Sequence, residues 1–211
     1  MNKAICEKIA VGMGAGPKTS KALADACENW GITNPIDQAR FFAQLHVESG
    51  GFKRLEENLN YSASRLLQVF PGRNGLNTMA EAVALVRGGP RMIANHVYGG
   101  EWGRENLGNV RPDDGWDFRG RSFIQTTGRD NYQRTSMQCY GDKRLLTNPD
   151  MLLGVEAAAN VSAWFWHRKH LNGVSDIKVI TKAINGGQHG LAERVKQTTR
   201  ALNLVKFFTG T

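Results

Sequence analysis

Cysteine is scarce in this chain: Cys6, Cys27 and Cys139 are the only three in 211 residues. They are widely spaced and odd in number, and no CxxC or Cys/His cluster accompanies them. Neither a disulfide framework nor a structural zinc site is indicated, and reduced thiols in a protein made in the cytosol are expected. Long apolar runs are also missing. No segment approaches the ~20 apolar residues that a membrane-spanning helix needs. Near the N-terminus, Glu7 and Lys8 interrupt any early apolar run, and the stretch from Ile9 to Gly16 is short and glycine-rich. A conventional signal peptide is therefore not expected. The five histidines (His46, His96, His167, His170, His189) form no HExxH motif, so a metal-dependent peptidase or amidase has no signature here. His167 and His170 sit beside Arg168 and Lys169 and read as a basic helix end. Neither metal nor cofactor is expected.

Acidic residues are in deficit, 19 against 27 Lys and Arg, which leaves a formal net charge of +8. Such a charge favours an anionic partner. The basic residues are scattered and no nucleic-acid motif appears, so nucleic acid is not the expected partner. Composition is otherwise that of a globular protein, 41% hydrophobic and 22% charged. The length fits one domain, 1–211, and is compatible with two lobes around a cleft. No repeat, interdomain linker or separate binding domain is evident.

Short helical patterns punctuated by Gly and Pro fill most of the chain. Thr19 or Ser20 can cap a helix running to Trp30, with Gly31 as its stop. Asn34-Pro35 is a cap followed by proline at the first helical position. Beyond it, Ile36, Ala39, Ala43 and Val47 form the apolar stripe of an amphipathic helix that Gly50-Gly51 end. Ser62 to Phe70 is helical in pattern, and Thr78 with Glu81 makes a capping box for a helix ending near Gly88. Pro90 opens another, ending at Gly99-Gly100. Residues 101–118 are polar and rich in Gly, Asp and Asn, which predicts a long exposed loop. Gly120 to Thr127 is compatible with a short strand. Helices are expected again at about 129–140, 155–170, 175–184 and from Gly190 onward. The class is mainly α with a small β element.

Two carboxylate-bearing segments stand out. Glu48 lies in the last turn of its helix, where the negative end of the backbone dipole disfavours a carboxylate. Burial beside Phe52 would act in the same direction and raise the carboxyl pKa. A glutamate that keeps its proton near neutral pH suits a general acid for a departing glycosidic oxygen. Shortly afterwards come Glu56 and Glu57, either of which could supply the second carboxylate of such a pair. Read without context, all three are also compatible with solvated glutamates.

Three stretches carry a resemblance: His46-Val47-Glu48-Ser49-Gly50-Gly51, Glu57-Asn58-Leu59-Asn60-Tyr61-Ser62, and the run from Gly120-Arg121-Ser122 through Gln125-Thr126-Thr127-Gly128 to Asn131-Tyr132. Ala163-Trp164-Phe165-Trp166 and Ile184-Asn185-Gly186-Gly187 agree with them. In this order the motifs resemble glycoside hydrolase family 19, in particular its phage endolysins with a chitinase-like, lysozyme-like fold. The matches run from about residue 36 to 200.

The resemblance implies a lysozyme-like, two-lobed helical domain with a central cleft, and inverting hydrolysis of β-1,4-linked N-acetyl sugars without a cofactor. It assigns Glu48 as general acid and Glu57 as general base, Glu56 being the weaker choice. Thr127 would orient the attacking water, while Gln125, Asn131 and Asn185 would hydrogen-bond the sugars or hold the base. Tyr61 is the expected sugar-stacking aromatic; Trp164-Phe165-Trp166 reads better as core packing. The usual Gly-Arg-Gly is Gly120-Arg121-Ser122 here, a change that bears on a tight turn. The direct run from Gly51 to Glu57 is shorter than in plant chitinases and suits a branched, peptide-bearing polymer. The expected partners are peptidoglycan glycan strands and anionic cell-envelope polymers, acted on by a monomer. Without a signal peptide, accumulation in a host cytoplasm and release with help from a holin-type protein is expected. A chitinase and a noncatalytic glycan binder are the alternative readings.

Overall fold

Thirteen α-helices occur among residues 2–210, which the computed structural model describes. In chain order they are α1 (Lys3–Gly12), α2 (Pro17–Asn29), α3 (Pro35–Glu48), α4 (Ala63–Val69), α5 (Met79–Arg87), α6 (Gly89–Val97) and α7 (Gly100–Leu107). Then come α8 (Asp114–Asp117), α9 (Arg129–Tyr140), α10 (Arg144–Thr147), α11 (Val155–Arg168), α12 (Ile177–Asn185) and α13 (Leu191–Thr209). The class is mainly α, as the patterning predicts. None of these helices is long and apolar enough to cross a membrane.

The chain divides into two compact units. The first comprises residues up to Leu55, Ser122–Ile124, and everything from Leu152 onward. Its core gathers Ile9, Met13, Leu23, Phe41, Phe42, Leu45, Phe123 and Trp166, all essentially inaccessible to solvent. Helix α3 is central to it and packs along α13. The start of α3 is fixed as the sequence predicts: Asn34 Oδ1 accepts from the Ile36 amide at 2.9 Å, and Pro35 occupies the first helical position. Helix α2 begins earlier than expected, at Pro17 with Gly16 as its cap, because proline at the first position sets the helical φ before Thr19 is reached. Trp164 and Trp166 are core residues, and the Trp166 indole donates to Asn172 Oδ1 at 2.9 Å. Cys6 and Cys27 are buried in the same core as free thiols.

The second unit comprises Glu56–Arg121 and Gln125–Met151, with its own core of Leu59, Leu66, Phe70, Leu76, Leu85, Ile93 and Val97. The capping box of α5 forms as predicted, Glu81 Oε2 accepting from the Thr78 amide at 2.8 Å and Thr78 Oγ1 from the Glu81 amide at 3.3 Å. Two expectations fail here. Residues 101–118 are not a long loop: they carry α7 and α8. Trp102 of α7 lies under the Arg73 guanidinium, 3.4 Å from ring centroid to Cζ. Asp114 is buried and accepts from the Val110 and Arg111 amides at 2.8 and 2.9 Å and from Arg129 Nε at 2.7 Å. The predicted strand from Gly120 to Thr127 is also absent; only two isolated β-bridges form, Glu56 with Arg121 and Arg121 with Thr126. Ser122 and Gln125 take left-handed φ values of 72° and 59°, which bend the segment out of an extended path. Ser122 thus adopts a left-handed conformation that ordinarily favours glycine.

Candidate active site

In the first unit, Glu48 closes α3. The carboxylate meets an ion-pair partner rather than an apolar wall: its Oε1 is bonded to Arg194 of α13. Arg194 is itself buried, donating from Nη1 to Gln44 Oε1 at 2.6 Å and from Nε to the His189 carbonyl at 3.1 Å. Phe52, expected beside Glu48, instead packs edge-on against His46 and Phe123 at 5.7 and 6.0 Å between centroids. The environment of Glu48 therefore differs from the apolar one expected of it. Asn185, at the end of α12, accepts from the Gly187 amide at 2.9 Å and donates to the His189 carbonyl at 3.0 Å. It shapes the loop whose His189 carbonyl steadies Arg194, and Gly186 ends α12 with a φ of 75°.

In the second unit, adjacent Glu56 and Glu57 have different partners. Glu56 is ion-paired to Arg119, whose guanidinium lies 3.9 Å from the Trp116 ring centroid. Glu57 Oε1 accepts from the Gly120 amide at 2.6 Å, and Oε2 from the Tyr98 hydroxyl at 2.7 Å. Its own amide donates to the Gly120 carbonyl at 3.0 Å, so backbone and side chain are both registered on Gly120. Burial pushes the Glu57 carboxyl above its ordinary pKa; the Gly120 amide, the Tyr98 hydroxyl and the charges of Arg119 and Arg121 pull downward without cancelling that rise. Tyr98 is raised too, by burial and then by the Glu57 charge and bond, so its hydroxyl stays protonated and donates.

Gln125, Thr127 and Glu57 converge on Gly120. A Cβ built on that glycine would lie 2.5 Å from Gln125 Oε1, 3.1 Å from Thr127 Oγ1 and 3.3 Å from Glu57 Oε1. No side chain fits where three polar groups crowd one Cα, which is why glycine stands there. The Thr127 hydroxyl donates to the Gln125 carbonyl at 3.2 Å and keeps acceptor capacity. Asn131 Nδ2 donates to the Thr127 carbonyl at 2.8 Å, fixing Thr127 from the first turn of α9. Flanking Gly120, buried Arg121 reaches Asp150 Oδ1 at 2.6 Å, the Asp117 carbonyl at 2.7 Å and the Tyr132 hydroxyl at 2.9 Å. The Tyr132 hydroxyl in turn donates to the Arg119 carbonyl at 2.8 Å. Tyr61 is half-buried, its ring edge-on to Phe70 at 5.7 Å, and the groove beside Glu57 is lined by Asn58, Asn60, Trp116 and Arg119.

Of the residues singled out in the sequence, the second unit thus gathers Glu57, Gln125 and Thr127 around one glycine, with Asn131 behind them. Glu48 and Asn185 belong to the first unit. Sequence reasoning missed Tyr98, Gly120 and Arg194. Gly120 was within the motif, but its role as the point of convergence was not legible; Tyr98 and Arg194 lie 41 and 146 positions from the glutamates they hold. Among the described residues, no group of three or more His, Cys, Asp or Glu side chains could hold a metal ion.

No family model matches the chain. A Haemophilus influenzae protein described as a glycosyl hydrolase family 19 domain-containing protein is 35% identical over 176 residues, covering 83% of this chain and 84% of that protein. With a likeness of that extent, this mainly α chain belongs to glycoside hydrolase family 19.

Proposed function

We propose that this glycoside hydrolase is an endolysin that cuts β-1,4 glycosidic bonds of bacterial peptidoglycan with inversion, its two units serving as one catalytic domain. The observation that carries the reading is the convergence of Glu57, Gln125 and Thr127 on Gly120. An inverting glycosidase needs a carboxylate and a second polar group to hold one water between them. Glu57, tethered at both oxygens and raised by burial, is the base. Thr127 accepts from the water while its own hydrogen is engaged by the Gln125 carbonyl. Glu56 is a poorer base because Arg119 already occupies it. Glu48 is the acid that protonates the leaving oxygen, with Arg194 fixing its rotamer. Gln125, Asn131, Asn185 and Tyr61 orient the sugars or their supports.

Peptidoglycan is preferred over chitin because a net charge of +8 suits an anionic polymer, and chitin is neutral. In this reading the protein acts as a monomer, accumulates in a host cytoplasm and reaches the wall through holes made by a holin-type partner. The test is mass spectrometry of fragments released from purified peptidoglycan by the wild type and by Glu48→Gln. New reducing ends from the wild type alone support the assignment, and the terminal sugar identifies the linkage. Free peptide stems on intact glycan, or the retained anomer as first product, would overturn it. Turnover on chitin oligomers with none on peptidoglycan would make the protein a chitinase.

A further inference from the structure

Immediately after Glu48, the first unit turns through Gly50 and Gly51 into Lys53, and beside this turn lies a cavity of about 420 Å³. His46, Lys53 and Arg200 line it, and no acidic side chain does. Among the described residues, neither Lys53 nor Arg200 forms an ion pair, although thirteen such pairs occur elsewhere. Helix ends account for part of this charge. Helices α1 and α3 both terminate here with their negative dipole ends, and Arg200 Nη2 donates to the Gly12 carbonyl at 2.8 Å. A guanidinium carries five N–H donors, however, and that bond uses one. The Lys53 amide donates to the Ser49 carbonyl at 3.2 Å, but its side chain is exposed and, among the described residues, its ammonium forms no ion pair. The imidazole of His46 reports the local field: burial and then the Arg200 charge hold its pKa below the ordinary value, against the opposing pull of Glu193 on α13. The cavity is thus cationic at its wall and has no anion of its own.

We propose that this cavity binds a carboxylate of the peptide stem carried by the glycan strand being cut. The inference rests on the reading of peptidoglycan as substrate and deepens it. The cavity is lined by His46 from the last turn of α3, the helix that Glu48 closes, and by Gly50, Gly51 and Lys53 from the turn that follows, so in this reading its anion is a substituent of the strand engaged by Glu48. Chitin offers no such group, and the cavity would therefore discriminate between the two polymers. Charge-assisted contacts to Lys53 and Arg200 hold the carboxylate, while His46 lies beside it.

Two measurements test this on the whole chain. In the first, the His46 imidazole is followed by NMR, assigned with His46→Gln, while an acidic stem tripeptide, its amidated analogue or inorganic phosphate is added. Binding of the acidic tripeptide alone, with an upward shift of the His46 pKa, supports the proposal. Binding of phosphate without the tripeptide, of the amidated peptide equally well, or of nothing overturns it. In the second, KM is compared on soluble uncross-linked peptidoglycan strands and on the same strands stripped of stems by an amidase. Lys53→Gln with Arg200→Gln should raise the ratio of KM on stemmed to stripped strands about tenfold, with kcat on stemmed strands held; Lys53→Gln alone, at an exposed position, should raise it by less. An unchanged ratio overturns the pocket while leaving the glycosidase reading intact. Failure of the wild type to cut either substrate removes the peptidoglycan reading itself.

Discussion

Replacing Tyr98 with Phe deletes one hydroxyl and leaves the rest of the residue's contacts in place. The ring still packs edge-on against Phe70 at 6.1 Å, and the Tyr98 carbonyl still accepts from Asn109 Nδ2 at 2.8 Å. What disappears is the 2.7 Å bond to Glu57 Oε2. A hydrogen bond to a charged acceptor contributes about 1.5–3 kcal/mol net. If that bond holds the base in position during the reaction, its loss lowers kcat/KM by roughly 10- to 150-fold, since each 1.36 kcal/mol is tenfold. A second consequence does not depend on that assumption. Burial raises the Glu57 carboxyl and the Tyr98 bond is one of the influences opposing the rise. Without it the carboxyl climbs further, and the acid limb of the kcat/KM profile, where the base becomes protonated, moves to higher pH. Gain in intrinsic basicity works against the rate loss, so the limb is the sharper readout. The assay is a pH profile of peptidoglycan hydrolysis for wild type and Tyr98→Phe, with circular dichroism to verify folding. An acid limb in the wild-type position together with a plateau within twofold of wild type would refute the role given to Tyr98 and weaken that given to Glu57.

The other predictions concern the groups around each glutamate. Gly120→Ala places a methyl 2.5 Å from Gln125 Oε1; the overpacking should cost about 1–3 kcal/mol in a denaturant melt. Misplacement of the converging groups should reduce turnover on the order of 100-fold, and a folded, fully active variant would contradict the convergence. Arg194→Ala leaves Glu48 without its partner and should destabilise by about 3–5 kcal/mol. Arg194→Met with Glu48→Leu should recover much of that stability and none of the activity; equal destabilisation of single and double variants would deny the pair its importance. For Glu57 the linkage sign runs opposite to that of a salt-bridged carboxylate. Its folded pKa lies above the unfolded 4.5, so the folded state binds the proton more readily, and ionised Glu57 opposes folding at neutral pH. Urea melts should therefore show wild type gaining on Glu57→Gln as pH falls through the folded pKa toward 4.5, and a flat difference would argue against the shift.

Much of the helix pattern could be read from the sequence where its cause is local. Asn34 and Pro35 fix the start of α3, and Thr78 with Glu81 fixes that of α5, within a few residues of the element they begin. Residues 101–118 failed because their order comes from a distance. Asp114 is held by Arg129, fifteen positions away, and Trp102 by Arg73, so a composition that reads as loop is helical. The Gly120–Thr127 segment failed for a different reason. Its β-branched and aromatic residues favour a strand, but two left-handed residues redirect the backbone, and side-chain preference does not reveal them. The candidate site divides in the same way. Motif order marked Glu48, Glu57, Gln125 and Thr127, whereas the groups that set their electrostatics, Tyr98 and Arg194, are separated from them by long stretches of chain.

Glu56 and Glu57 show why adjacent identical residues need not be interchangeable. Side chains one position apart in an extended segment point to opposite sides, so the two carboxyls enter different surroundings although their backbones are continuous. Glu56 meets a full cation in Arg119, which engages its lone pairs. Glu57 meets neutral donors, an amide and a phenol, within a largely buried setting that raises its pKa. A general base must be ionised at the working pH and still attract a proton when water is attacked. Neutral donors in a buried site meet both demands, because they steady the anion without supplying the full opposing charge that would suppress its basicity. An arginine bonded directly to the carboxylate meets only the first. The same logic gives Glu48 and Arg194 a different character: a partner that carries a full charge fixes geometry firmly, and in the proposed role of Glu48 as acid its carboxylate must first take up a proton from solvent, at the expense of the pair, before delivering it to the leaving oxygen.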